Sequence, residues 1–303
     1  MTARPLRILL FGGTGQVGSE LLRRSWPVPV RIAAPGRHVV DFFRPATVAE
    51  ALAAESPDLV INAAAHTAVD QAEGEPDKAW IINAAAPAAM AGAAARTGTP
   101  LIHLSTDYVF DGRKPTPYVE DDPIAPLCVY GATKAAGEAA VRDAAERHVI
   151  LRTSWIYGAT GGNFVKTMLR LGAERPTLRI VDDQHGAPTA ATDVAEAVMA
   201  VSLRLVAGEA PTGTFHYTAT GVTTWYGFAS RIFAHAARAG WPVPQLEAIR
   251  TIDYPTPARR PANSRLDCRR VATAYGIVGR PWEIALAEVM DALGTCGPKV
   301  ASP

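Results

Sequence analysis

The sequence predicts a two-lobed α/β protein, a doubly wound parallel sheet with a smaller α/β lobe attached. Short apolar runs alternate with helical stretches, the pattern of parallel strands joined by crossover helices. Several runs are apolar throughout, as strands become when helices cover both faces. After about residue 205 the texture changes: Trp225, Tyr226, Trp241, Tyr254, Tyr275 and Trp282 gather there, with prolines concentrated between Trp241 and Pro261.

In order, strands are expected at 7–11, 30–34, 59–62, 101–105, 149–153 and 178–181. Helices are expected at 16–24, 45–55, 77–96, 133–146 and 163–173. The helix before Gly98 is alanine-rich and suited to close packing against the sheet. The tail 294–303 is expected to fray.

Composition narrows the function classes. A chain of 303 residues, 48% hydrophobic and 19% charged, is long enough for a sizeable core and is globular in type. Thirty Lys and Arg against 29 Asp and Glu leave a formal charge of +1, which argues against a main task of gripping nucleic acid or an anionic membrane. Pro87 interrupts the alanine-rich run from Ala84 to Ala95, so no membrane span is expected. Only a short apolar run precedes the first glycines, too short for a secretory signal. Cys128, Cys268 and Cys296 are few, odd in number and without zinc-ligand spacing. The expectation is a soluble cytoplasmic protein without disulfides or a structural metal.

The first strand runs into GGTGQVG, in which Gly12, Gly15 and Gly18 have the spacing GxxGxxG before a helix. Glycine is needed where backbone turns sharply or approaches a pyrophosphate without a Cβ in the way. Free N–H groups at the helix start then hold phosphate charge. In that position the motif predicts a Rossmann-type dinucleotide site, although tight turns use the same residues. NAD-specific folds carry an acid about 20 residues further on. Here the second strand is followed by APGRH, with no carboxylate. Arg37 suits a 2′-phosphate and favours NADPH; the competing reading is a solvated surface cation. Asp41 is a candidate for the adenine or ribose. The third strand ends in INAAAH, where Ala63, Ala64 and Ala65 let a dinucleotide cross the strand ends, or simply pack tightly.

Tyr130 and Lys134 are four residues apart on a helical stretch, hence on one face. Chance gives only about 0.1 such pairs in a chain of this composition. A free phenol, pKa about 10, is a poor acid–base catalyst at neutral pH; a nearby ammonium favours phenolate and lowers that value. Upstream, Ser105, Thr106 and Asp107 end the fourth strand, where a hydroxyl can steady the oxygen of a carbonyl accepting hydride. Ser and Thr also commonly cap strand ends.

GxxGxxG, NAAA, STD and YxxxK, in this order, resemble the extended short-chain dehydrogenase/reductase family. More narrowly, GGTGQVG, VINAAAHTAVDQAE, STDYVFDG, VYGATKAAGE, RTSWIYG, DDQHGAPT and YPTPARRPANSRLD resemble the dTDP-4-dehydrorhamnose reductases, over roughly residues 6 to 290. The resemblance implies NADPH-dependent reduction of the C4 ketone of dTDP-4-dehydro-β-L-rhamnose to dTDP-β-L-rhamnose. It makes Tyr130 the proton donor, Lys134 the holder of the nicotinamide ribose, and Thr106 the substitute for the usual serine. Gly12, Gly15, Gln16, Val17 and Gly18 would meet the pyrophosphate, with Asp41 and Phe42 at the adenosine end. Ala63, Ala64, Ala65, His66, Thr67 and Leu104 would line the cofactor, and Val69, Asp107 and Trp155 would contact the sugar. Asn83 would serve local hydrogen bonding. Related 4,6-dehydratases carry Asp then Glu after the threonine; here Tyr108 follows Asp107, which favours simple ketone reduction.

The resemblance also implies a homodimer and a dTDP-sugar partner. It divides the chain into a dinucleotide domain, 1–155 plus about 177–218, and a substrate lobe, about 156–176 plus 219–303. Because that family often accepts both cofactors, NADPH against NADH stays open. Some members bind Mg2+ through glutamates at a subunit contact; Glu20 matches one, but Thr192 and Ala292 stand where others would be. His66 and His185 are read as positioned or packed histidines. Arg259 and Arg260 would clamp a diphosphate or brace the second lobe, and Asn163 and Lys166 face the cleft near the nucleotide. Two other readings are another nucleotide-sugar ketoreductase and a non-catalytic NADP-binding regulatory subunit of the methionine adenosyltransferase type.

Overall fold

In the computed structural model, which describes residues 4–294, the chain begins with β1 (Leu6–Phe11), α1 (Gln16–Arg23), β2 (Val30–Ala33), α2 (Ala46–Glu55) and β3 (Leu59–Asn62). Helices α3 (Val69–Gly74), α4 (Pro76–Trp80) and α5 (Ala86–Thr97) precede β4 (Leu101–Thr106). Then come α6 (Val129–Ala144), β5 (His148–Thr153), β6 (Ile156–Tyr157), α7 (Phe164–Glu174), β7 (Thr177–Val181), β8 (His185–Gly186), β9 (Thr189–Ala190) and α8 (Ala191–Ala207). The chain continues through β10 (Gly213–His216), β11 (Thr223–Thr224), α9 (Trp225–Arg238), β12 (Gln245–Ile249), α10 (Arg269–Tyr275) and α11 (Trp282–Gly294). Of the tail expected to fray, Gly294 closes α11 and 295–303 lie outside the described residues, Cys296 among them.

Six strands form one parallel sheet in the order β10-β5-β4-β3-β1-β2. Alternate side chains serve opposite faces. Ile8, Leu10, Leu59 and Ile61 pack with Val17 and Leu21 of α1 and Val194 and Val198 of α8. Leu9, Phe11 and Val60 pack with Val48 of α2, Met90 of α5 and Val141 of α6. Chain direction across the sheet reverses between β1 and β3, where open parallel sheets leave a crevice beyond the strand ends.

Three expectations change. Strand 178–181 exists as β7 but lies outside this sheet, paired in parallel with β12. Leu178 and Ile180 are buried while Thr177 and Arg179 are exposed, so β7 is a half-covered strand rather than one buried on both faces. The sixth place in the sheet goes to β10, whose GTFH is too short and polar to read as a core strand. The single helix expected at 77–96 is three pieces, with a π-helical turn at Ile81–Ala85 between α4 and α5. Pro87 has no N–H to give the carbonyl four residues back, and the widened turn accommodates that loss. Finally, α6 starts at Val129 rather than 133, so Tyr130 stands in its first turn.

A separate apolar cluster joins α7, β7, α9 and α11 through Met168, Leu169, Ile180, Phe228, Phe233, Leu286 and Val289. Its elements flank the C-terminal end of the sheet through β6, which follows β5 after two residues and pairs with β9.

Candidate active site

At the reversal point, β1 gives way to a turn whose shape depends on missing side chains. Gly12 has φ +87, and a Cβ there would stand 2.6 Å from the Ala63 carbonyl carbon and the Ala64 nitrogen. A Cβ on Gly18 would stand 2.1 Å from the Gly12 carbonyl oxygen. The Gly15 N–H donates to that oxygen at 2.9 Å and closes the turn. No side chain caps the start of α1, which leaves its first amides for an anion. These features fit a dinucleotide pyrophosphate.

Around this cradle Val17 is buried in the core, Ala63, Ala64 and Ala65 are half-buried, and Thr67 is exposed. Gln16 is already engaged: its Oε1 accepts from Asn163 Nδ2 at 3.0 Å. Asn163 also caps α7, accepting from the Lys166 N–H, so its amide holds the chain rather than the cleft, while Lys166 is exposed. Arg37 is exposed in the turn after β2. Asp41 accepts from the Phe43 N–H at 3.0 Å, and Phe42 meets Phe11 edge-on with ring centroids 6.1 Å apart.

The other half of the site is carried by α6. Its first turn has no cap from its own chain segment; Glu73 of α3 supplies one, accepting from the Val129 N–H at 2.8 Å. Lys134 is 1% exposed, yet its Nζ donates to the Leu104 carbonyl at 2.7 Å and lies 3.2 Å from His103 Nε2. Burial pushes its ammonium down to about 8, with Glu138 pulling the other way. One turn further on, Glu138 accepts from Ser105 Oγ at 2.6 Å and from both Arg152 Nε and Nη2, at 2.8 and 2.7 Å. Helix α6 is thus bound to β4 and β5 by buried charge. Sequence reading passed over this pair; its trace is the matched spacing of His103 and Ser105 on one strand face and Lys134 and Glu138 on one helix face.

Tyr130 is buried, and burial raises its phenol above the ordinary value; the Thr106 hydroxyl opposes this and the Asp107 charge adds to it. The lowering expected from Lys134 is not seen; burial dominates and the phenol keeps its proton, the state an acid requires. Thr106 donates to Asp107 Oδ1 at 3.0 Å and accepts from the Tyr108 N–H at 3.2 Å. Asp107 is 2% exposed, its Oδ2 has no partner, and burial pushes its carboxyl up to about 6, against the Thr106 and Ser264 hydroxyls. Thr153, opposite Thr106 in the sheet, also has an unpartnered buried hydroxyl. Buried polar atoms are rarely left so, and two at adjacent strand ends mark a place for a polar ligand.

Trp155 follows β5 with φ +50, a strained backbone for a bulky residue, and stacks on Trp225 at 3.6 Å between centroids. Val69 packs in the same small cluster as Tyr130. Asn83, in the π-helical turn, accepts from the His66 N–H at 2.8 Å and donates to Thr133 Oγ1 at 3.1 Å, which ties the loop after β3 to α6. His66 Nε2 reaches Glu75 at 3.4 Å, a carboxylate contact the spacing did not suggest, and His185 is exposed on β8. Arg260 binds both oxygens of Asp70, at 3.0 and 2.6 Å, bracing its loop against α3; Arg259 is exposed.

At the Glu20 position the donor set does not fit a magnesium ion. Glu20 is held by Arg23, Arg24 pairs with Glu196, Arg280 takes Asp193 and Glu288, and Thr192 bonds Asp193. Among the described residues no group of three metal-ligating side chains converges. Burial pushes the Cys128 and Cys268 thiols up, which disfavours the nucleophilic thiolate.

The family model described as RmlD substrate binding domain matches residues 6–295. The dTDP-4-dehydrorhamnose reductase of Escherichia coli (strain K12) is 45% identical over 296 residues, covering 96% of this chain and 99% of that protein. Among solved structures, a dTDP-4-dehydrorhamnose reductase from Clostridium acetobutylicum superposes with TM-score 0.87 at 36% identity, covering 95% of this chain and 99% of that one. That of Bacillus anthracis, in complex with NADP, gives TM-score 0.87 at 34% identity over the same shares. With likeness of this degree along nearly the whole chain, in sequence and in fold, the protein belongs to the dTDP-4-dehydrorhamnose reductase family.

Proposed function

We propose that this protein reduces the C4 ketone of dTDP-4-dehydro-β-L-rhamnose to the alcohol of dTDP-β-L-rhamnose, with NADPH as reductant. The observation that carries the reading is the meeting of a buried Tyr130 and Lys134 with Thr106 at the end of β4, beside the unpartnered oxygens of Asp107 and Thr153. When bound, NADPH supplies the hydride to the ketone carbon. Gly12, Gly15, Gln16, Val17 and Gly18 would hold its pyrophosphate, and Ala63, Ala64, Ala65, His66, Thr67 and Leu104 its length. Asp41 and Phe42 would lie toward the adenosine and Arg37 toward the 2′-phosphate. Tyr130 gives its proton to the ketone oxygen as negative charge develops there, and the Thr106 hydroxyl steadies that oxygen. Lys134 holds the nicotinamide ribose and sets the charge near Tyr130. Val69, Asp107 and Trp155 would grip the sugar, and the absence of an acid after Asp107 leaves nothing to expel water.

The reading includes a dinucleotide domain at 1–155 plus about 177–218 and a substrate lobe in the remainder; the separate apolar cluster of α7, α9 and α11 supports the lobe but also takes in β7, which moves that boundary beyond Val181. It includes a cytoplasmic homodimer, for which light scattering is the check; among the described residues no helix is long and apolar enough to cross a membrane. The central test follows nicotinamide absorbance with NADPH or NADH and freshly generated dTDP-4-dehydro-L-rhamnose. Oxidation should require the sugar, and Tyr130→Phe should cut turnover by about 10²–10⁴ while retaining NADPH binding. NADPH binding without sugar-dependent oxidation would turn the assignment toward a different nucleotide sugar or a non-catalytic role.

A further inference from the structure

Lys134 is not held by backbone alone. The Ala64 N–H donates to Asn62 Oδ1 at 3.1 Å, which fixes the Asn62 amide with its nitrogen turned away from Ala64. That nitrogen lies 2.9 Å from His103 Nδ1, and an amide nitrogen can only donate. His103 Nδ1 must therefore accept. The ring is fully buried, and burial together with the Lys134 charge pulls its pKa well below the ordinary value, so the ring is neutral with a single N–H. That N–H sits on Nε2, 3.2 Å from Lys134 Nζ. An ammonium has three donors and no acceptor, so it meets the ring donor to donor; a neutral amine offers a lone pair.

We propose that His103 is a positioning residue for Lys134: held in one tautomer by Asn62, it aims a ring N–H at Nζ, loosens the proton on the ammonium and stabilises the neutral amine left when that proton goes. The inference rests on the reading of Tyr130 as the acid. After Tyr130 has given its proton to the ketone oxygen, the phenolate takes one from Lys134. An O–H bond forms on Tyr130, an N–H bond breaks on Lys134, and the amine lone pair accepts from His103 Nε2 until solvent returns a proton. A chain of fixed polarity from backbone through Asn62 and His103 thus ends on the proton the reaction needs.

Of the charged and titratable groups, Tyr130 and Glu138 share the helix of Lys134, His103 of β4 meets its Nζ, and Arg152 of β5 lies behind Glu138. Glu138 favours the ammonium, but its carboxylate is shared with Arg152 and Ser105. Burial sets the value near 8 against that pull, and the contribution of His103 is read by changing that residue.

The first test is the ring itself. In 15N-histidine-labelled protein without cofactor, His103, assigned by its loss in His103→Gln, should be protonated at Nε2 and neutral across the accessible pH range; an Nδ1–H tautomer overturns the proposal. The chain has only Lys78, Lys114, Lys134, Lys166 and Lys299, so 13Cε-lysine signals resolve, and Lys134→Arg assigns the buried one. Lys134 should titrate near 8. A titration at the ordinary lysine value of about 10.4 also overturns the proposal. His103→Asn keeps a polar group but is too short to reach Nζ, and should raise the Lys134 titration by about one unit or more. The alkaline fall of kcat should move with it, while KM for NADPH changes little. His103→Gln, whose amide can accept from Asn62 and donate to Nζ, should restore both. An unmoved titration in a folded His103→Asn protein counts against the proposal. Because the titrations need no substrate, failure of the sugar assay with the expected NMR pattern would sink the substrate assignment and leave the tautomer standing.

Discussion

Helices α1 and α6 both follow strands of the same sheet and both open toward the same crevice, yet they are built on opposite principles. The start of α1 works by what is missing: Cβ atoms at Gly12 and Gly18 and a capping side chain at Gly15. Helix α6 works by what is present and hidden, with Tyr130, Lys134 and Glu138 all buried. A backbone cradle presents partial charges that need no counter-ion. Buried side-chain charges need partners, and α6 finds them in Ser105, Arg152 and the Leu104 carbonyl. The lesson is that damage to α1 should be read as lost binding, and damage to α6 as lost stability or altered proton chemistry.

The largest stability effect should come from separating the α6 charges. Glu138→Gln keeps the shape but leaves Arg152, 2% exposed, without its anion. About 3–5 kcal/mol of unfolding free energy should be lost in a urea titration. A loss below about 1 kcal/mol would mean that α6 is held by packing alone, and the contrast with α1 would fail. Glu138 is itself held below the usual carboxylate range, by the Arg152 and Ser105 bonds against the penalty of burial. Its contribution should therefore be complete above the unfolded carboxyl's pKa and fade as pH falls through the lower folded value.

Gly18→Ala comes next. A new Cβ against the Gly12 carbonyl oxygen must push α1 off the cradle. NADPH affinity by fluorescence titration should fall about tenfold to a hundredfold, with kcat at saturating cofactor nearly kept. A fall in kcat at unchanged affinity would erase the division of labour. The smallest effect is expected at Arg37, which is exposed and which the proposed reading places toward the 2′-phosphate alone. Arg37→Ala should raise KM for NADPH by about tenfold and leave NADH unaffected, since one phosphate contact is at stake. Equal effects on both cofactors would make Arg37 a surface cation.

The glycine turn and the YxxxK pair were legible because each is a local pattern whose spacing alone places it on a turn or a helix face. The break in the alanine-rich helix was half-legible. Pro87 announces it, but the use of the widened turn by Asn83 depends on His66 and Thr133, which approach from elsewhere. Arg260 was read with two alternatives open, and its bidentate bond to Asp70, far away in sequence, shows it bracing its loop against α3. The sheet's last strand was misread because β7 and β10 differ in which neighbours cover them, a property absent from either segment alone.

By itself the sequence determined the alternation of strands and helices, the cradle, the spacing of Tyr130 and Lys134 and the family, since these reside in short-range spacing and chain order. Only the tertiary structure decided which buried polar groups meet: Ser105 with Glu138, Arg152 with Glu138, Asn62 with His103, Trp155 with Trp225. The reason is physical. A side chain's protonation state and hydrogen-bond role are set by partners that the fold brings from distant segments into a water-poor interior, where a single donor turned one way or the other decides whether a charge is tolerated.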